Sequence, residues 1–212
     1  MEMNRIFCQL LNKNLSSWEA QGIILEADRK IRFNLFITLY YATLNHNAKD
    51  AFEVFKEAYC LTDNIHSQIQ SSLFKFDLKI FLKDIQNRGV NIPELMNSIE
   101  KNYYDQLPQC FKIYRGMSRK EHKSKNYGIS WSLNKETAEK YIFYDKNKSE
   151  KGGLSSKHVN KEDILTIFND GKDFEIIYLN DEKMFFSNIV TRQFYKILNW
   201  KTKFFLKYKY GK

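Results

Sequence analysis

The feature that most constrains this chain is a change of character at Pro108. Before it, apolar residues recur at helical spacing and only two of the eight glycines occur. After it come the other six glycines and short runs of β-branched and aromatic residues. The chain has 212 residues, 43% of them hydrophobic and 28% charged, enough to bury a core. The pattern predicts an α+β fold. Residues 1–107 form a helical region, either accessory or part of the same domain. Residues 108–212 form a small mixed β-sheet core ending in a basic aromatic segment.

Four long helices are expected in the first region. They are a segment from Ser17 to Asn45 capped by Ser16 or Ser17, Ala48 to Cys60, His66 to Gln86, and one from Asn91 to about Leu107. Gly89 suits a left-handed helix end. After Pro108, strands are expected at Phe111–Tyr114, Tyr127–Ser132, Ile164–Phe168 and Phe174–Leu179. A helix capped by Asn134 runs between the second and third. Residues 146–157 read as a polar surface loop around Gly152 and Gly153.

Composition removes several function classes. Three scattered cysteines, Cys8, Cys60 and Cys110, do not make a disulfide framework. They read as reduced, buried thiols of a cytoplasmic protein. No apolar run approaches the roughly 20 residues of a membrane span. The start, Met1 to Arg5, carries Glu2 and lacks a signal-peptide apolar region. The histidines (His46, His66, His122, His158) and cysteines show no metal-ligand spacing, so no metal is expected. No phosphate-loop or dinucleotide-fold glycine signature occurs.

The net charge of +9 is local. Eight of the 34 Lys and Arg residues lie between Lys183 and Lys212, where no acid occurs, while residues 1–182 hold the other 26 and all 25 acids. In that tail Trp200, Lys201, Lys203, Phe204, Phe205, Lys207, Tyr208 and Lys209 mix aromatics with lysines. Lysines meet phosphates and aromatic rings stack on unpaired bases, so this pattern suits single-stranded nucleic acid. It equally suits an amphipathic last element, or a surface for an acidic antitoxin or chaperone.

Three stretches after Pro108 carry chemistry. In Tyr114-Arg115-Gly116 a forked cation stands beside a bare backbone, which suits a phosphate or pyrophosphate. A surface ion pair before a turn explains the same residues. In Gly128-Ile129-Ser130-Trp131-Ser132 the two serines share one strand face and can bond a ligand, or face solvent. In Asp173-Phe174-Glu175-Ile176-Ile177-Tyr178 a carboxylate interrupts apolar strand residues, with Asp173 on its face. Alternation turns Phe174, Ile176 and Tyr178 inward and Glu175 outward. If Glu175 faces inward, it needs a partner or a job.

Taken together, Arg115, Ser130-Trp131-Ser132 and Glu175 resemble the Arg, Ser-x-Ser, Glu pattern of mono-ADP-ribosyltransferases. Tyr114-Arg115-Gly116, Gly128 to Leu133, Ala138-Glu139-Lys140-Tyr141 and Phe174 to Ile177 are similar to phage- and defence-associated bacterial members. The resemblance spans about residues 108–182. It implies NAD as substrate, with Arg115 and Gly116 at its phosphates or adjoining ribose. Ser130 steadies Arg115 or Glu175, and Ser132 lies toward the nicotinamide. Glu175 bonds the nicotinamide-ribose 2′-hydroxyl, and its carboxylate stabilises an oxocarbenium-like state as nicotinamide leaves. Tyr127 or Tyr141 stacks on the nicotinamide. Asp173 stands where many arginine-modifying members have Glu or Gln. It serves as a base toward the acceptor or marks a different acceptor.

The expected protein is a toxin or phage-defence effector that transfers ADP-ribose to RNA, through Trp200, Lys201, Lys203, Lys207 and Lys209, or to a protein side chain. The competing expectation is a non-catalytic relative that binds nucleic acid.

Overall fold

A computed structural model describes residues 10, 15–143, 152–169 and 173–179. Among them are eight α-helices and five strands, with the helices concentrated in the N-terminal part. The helices are α1 (Ser17–Glu26), α2 (Arg32–Ala42), α3 (Ala48–Cys60), α4 (Ile65–Ser71), α5 (Leu78–Asn87), α6 (Ser98–Gln106), α7 (Arg119–Ser124) and α8 (Lys135–Lys140). The strands are β1 (Cys110–Met117), β2 (Ser130–Ser132), β3 (Gly153–Asn160), β4 (Thr166–Asn169) and β5 (Phe174–Ile177). They form one sheet in the order β3-β1-β2-β5-β4, every pair antiparallel rather than the mixed sheet expected from the sequence. No helix among the described residues is long and apolar enough to cross a membrane.

Helix α2 is buried on nearly every side, through Phe33, Leu35, Phe36, Ile37, Leu39 and Tyr40. Helix α3 is amphipathic and buries Ala51, Phe52, Val54, Phe55 and Ala58. Against these helices lie Ile129, Leu165, Phe168 and Ile177 from the sheet region, so helices and sheet share one core. A second core covers the other face. It joins Phe111, Ile113, Trp131, Val159, Ile167 and Ile176 to Met96, with Tyr103, Tyr104 and Leu107 against it. Strands β5 and β4 are therefore covered on both faces, while the β1–β3 side keeps Lys112, Ser156 and His158 exposed. The described residues belong to one compact unit.

Three expected long helices are broken, and polar side chains mark the breaks. The run from Ser17 to Asn45 divides into α1, α2 and a short 3-10 turn, Leu44–His46. Ser16 starts α1 with a capping box closed by Glu19. At the end of α1 the buried Arg32 donates from Nε to the Ile24 carbonyl at 2.9 Å and from Nη2 to Ala27 at 2.8 Å. Its Nη1 reaches the Leu61 carbonyl at 2.8 Å. One side chain thus satisfies carbonyls that a helix end leaves orphaned.

The run from His66 to Gln86 divides into α4 and α5. The buried Gln68 explains the start of α2, since its Oε1 accepts from the Phe33 and Asn34 amides at 2.8 and 3.2 Å. Asp77 caps α5 at the Lys79 and Ile80 amides. The run from Asn91 becomes a 3-10 turn, Ile92–Leu95, and then α6, which Asn97 and Glu100 open as a capping box. Gly89 has φ +82°, the left-handed helix end the sequence suggests.

The polar segment expected as a loop to residue 157 contains most of β3. That strand pairs with β1 from Cys110↔Asn160 to Met117↔Gly153. Only Val159 of its eight residues is buried. A polar edge strand resists pairing with other chains, and its sequence reads as a loop for the same reason. Helix α7 has no counterpart in the expectations. Of the three cysteines expected to be buried, Cys60 is half-buried and Cys8 lies outside the described residues. Cys110 is exposed, because it stands at the outer end of β1, one position before the inward Phe111.

Candidate active site

The strands that carry the three motif stretches are neighbours, β1-β2-β5. Tyr114 on β1 faces Ser132 on β2, and Ser132 faces Glu175 on β5. Local sequence explains each strand's placement. On β1, Phe111 and Ile113 alternate into the second core. On β2, Trp131 is buried while the flanking serines share the opposite face.

Arg115 is held on two sides. Its Nε donates to Oε1 of Glu121 at 2.7 Å, and its Nη1 donates to the Ser130 carbonyl at 2.6 Å. Both partners of the ion pair are largely withdrawn from water, with side chains 19% and 22% exposed. Glu121 comes from α7, which Ser118 starts by accepting the Glu121 amide at 3.2 Å. The helix ends at Lys125 with φ +57°. That reversal sends the chain back past the guanidinium, where the Gly128 amide donates to the same Glu121 oxygen at 2.7 Å. One carboxylate therefore ties the Arg115 side chain to the loop leading into β2. Ser130 steadies Arg115 through its backbone carbonyl.

Glu175 faces the helical layer. It shares a strand face with Ile177, which is buried in the helical core. Phe174 and Ile176 turn the other way, and Phe174 stacks on Tyr103 with ring centres 3.7 Å apart. The alternation is as the sequence suggests, but it does not report exposure, because both faces of β5 are covered. Glu175 is half-buried and accepts from the Tyr59 hydroxyl at 2.9 Å. Burial pushes the Tyr59 phenol pKa well above its usual value, and the Glu175 charge adds to the shift. The Arg115 charge acts in the opposite direction on the same phenol. Burial also pushes the neighbouring Cys60 thiol up to about 12, with Glu175 contributing.

The remaining expected site residues are distributed around this group. Ser132 Oγ accepts the Asn134 amide at 3.0 Å and so turns the chain into α8, which Asn134 caps at Thr137. Gly116 packs against α8. A Cβ there would lie 1.8 Å from the Ala138 carbonyl oxygen. Tyr127 stands edge-on to Trp131, centres 5.8 Å apart, and its hydroxyl accepts from Ser155 at 3.1 Å. Ser155 faces Arg115 across the β1–β3 pair. Tyr141 is 62% exposed in the 3-10 turn after α8. Asp173 is exposed just before β5. Its charge adds to burial in raising the Tyr103 phenol pKa. Trp200, Lys201, Lys203, Lys207 and Lys209 lie outside the described residues. Among the described residues no group of three His, Cys, Asp or Glu side chains is arranged to hold a metal.

Three residues of the site were not singled out from sequence. Glu121 carried a signal, since Ser118-Arg119-Lys120-Glu121 has capping-box spacing. Its carboxylate, however, goes to Arg115 and Gly128. Gly128 belonged to a motif without a role of its own. Tyr59 carried no signal, because it lies 116 residues from Glu175 on a helix that reads as core. Comparison with protein-family models, with curated proteins and with solved structures finds no match for this chain.

Proposed function

We propose that this protein is an NAD-dependent mono-ADP-ribosyltransferase acting on a macromolecular acceptor. The observation that carries the reading is the adjacency of β1, β2 and β5, which gathers Arg115, Ser130, Ser132 and Glu175 on neighbouring strands from separate stretches of sequence. An Arg and a carboxylate on strands separated only by the serine-bearing β2 suit the diphosphate and ribose of NAD. A fixed carboxylate stabilises positive charge on the ribose as nicotinamide departs. The Ser130 and Glu121 contacts hold the Arg115 guanidinium in one orientation, so little ordering remains when a phosphate arrives. The core resembles the ADP-ribosyltransferase type in these motif positions. The basic, aromatic residues 183–212 favour RNA as acceptor, and a toxin or phage-defence effector as the biological role.

The test is incubation of the purified protein with labelled NAD and, separately, total RNA and cleared lysate, beside Glu175→Gln. Label in RNA that the variant loses supports the reading. Label in protein bands keeps the enzyme and moves the acceptor to a side chain. Absence of both label and nicotinamide release overturns the proposal. A second reading, a nucleic-acid-binding protein whose Arg115 and Glu175 are structural, is favoured by their internal partners Glu121 and Tyr59. It predicts salt-sensitive RNA binding that Glu175→Gln leaves unchanged.

A further inference from the structure

We propose that Tyr59, on helix α3 of the N-terminal layer, is the positioning residue of the Glu175 carboxylate, so that the helical layer completes the site on the sheet. This rests on the transferase reading above. The geometry comes from three sides. The Tyr59 ring packs against Phe55, Phe168 and Phe33, with ring centres 5.4, 5.5 and 6.5 Å away. Phe168 is the β4 residue directly opposite Glu175 in the sheet. The same sheet row therefore supplies both the carboxylate and one wall of the ring that bonds it. Tyrosine has only two side-chain torsions, and packing on three rings fixes both. Its hydroxyl then meets Oε1 of Glu175 at 2.9 Å.

The chemistry of this pair suits a carboxylate that must stay ionised and aimed. A phenol donating to a carboxylate stabilises its charged form. The phenol itself does not compete as an anion, because burial and the carboxylate charge raise its pKa well above the usual value. Tyr59 thus remains a donor across the physiological range. It engages one carboxylate oxygen in a defined direction and so restrains rotation of the carboxyl group. Rotation of that group would otherwise cost reactivity, since misplacement by about 1 Å can lower a rate by about a hundredfold.

The test uses the full chain and Tyr59→Phe, which deletes the hydroxyl and keeps the ring. Carboxyl-13C NMR, with the Glu175 resonance assigned through Glu175→Gln, follows the Glu175 titration in both proteins. The expected result is a midpoint about half a unit or more higher in Tyr59→Phe, because a lost donor disfavours the charged form. An unchanged midpoint overturns the proposal whether or not the protein turns over NAD. In nicotinamide release, Tyr59→Phe should lower kcat about tenfold to a hundredfold, leave KM for NAD within about twofold, and move the acid limb of the rate profile to higher pH. A shifted midpoint with unchanged kcat overturns the positioning role and leaves the transferase reading intact. Inactive wild-type protein defeats that reading, and the carboxyl titration still decides whether Tyr59 controls Glu175. If Tyr59→Phe fails to fold, tyrosine labelled at Cζ reads the pair from the other side. The Tyr59 phenol midpoint should fall in Glu175→Gln, and no fall overturns the proposal.

Discussion

Gly128 lies so close to Arg115 that a Cβ at position 128 would stand 2.3 Å from Nη2 of the guanidinium. The obstructing atom is the end of a long side chain, so the arginine can swing aside. Gly128→Ala should therefore fold, with a stability loss of about 1 kcal/mol in chemical denaturation. What it should lose is the Arg115 orientation. On the proposed transferase reading, NAD binding by calorimetry is expected to weaken at least tenfold. Unchanged binding would show that the observed guanidinium position does not matter to the ligand.

Glu121→Gln removes the charge that ties Arg115 to the Gly128 amide. The pair is sheltered, and hydrogen bonds to charged groups contribute more than neutral ones. A loss of about 2 kcal/mol is expected. Because the pair is shielded, the difference from wild type should change little between low and high salt. A difference that vanishes in high salt would place the interaction at the surface.

Two glycines give opposite outcomes under the same substitution. Gly116→Ala drives a Cβ into the Ala138 carbonyl, a backbone atom that cannot rotate away. The expected destabilisation is about 3 kcal/mol. Gly22 sits inside α1 with open space around it, and Gly22→Ala should stabilise by about 0.5–1 kcal/mol. Thermal melts of both variants check the pair, and a stabilised Gly116→Ala would refute the packing of β1 on α8.

Cys60 and Cys110 should separate in alkylation. The thiolate is the reactive form, and burial pushes the Cys60 thiol up to about 12. At pH 8, iodoacetamide should label the exposed Cys110 and spare Cys60 until denaturant is added. Peptide mass spectrometry reads the result. The same shift sets a direction for stability. The native pKa lies above the unfolded value near 9, so the contribution is complete below pH 9 and is lost as pH rises toward about 12. Tyr59 acts in the same direction above about pH 10. Cys60→Ala should flatten part of that alkaline decline.

Much of this protein was legible in its sequence where the signal is local. Helical spacing in Phe52, Phe55 and Ala58, the caps at Ser16 and Asn134, and the helix end at Gly89 depend on neighbours a few residues away. The same holds for Arg115, Ser130, Ser132 and Glu175, whose types and order stand in the chain. The breaks between α1 and α2 and before α5 were not legible. The break between α1 and α2 depends on Arg32 and Gln68, which reach carbonyls and amides up to 35 residues away. Helix α5, by contrast, starts at the local cap Asp77, which the helical spacing on either side hid. Strand β3 was hidden because its polar side chains suit an edge, and only pairing with β1 makes it a strand. Sequence by itself determined which chemical groups are available and their alternation along each strand. Tertiary structure decided which groups meet. Alternation left Glu175 on one of two faces, and burial of both faces by separate cores turned it toward Tyr59. Hydrogen bonds act over about 3 Å of space, irrespective of distance along the chain, so only the folded packing supplies that pairing.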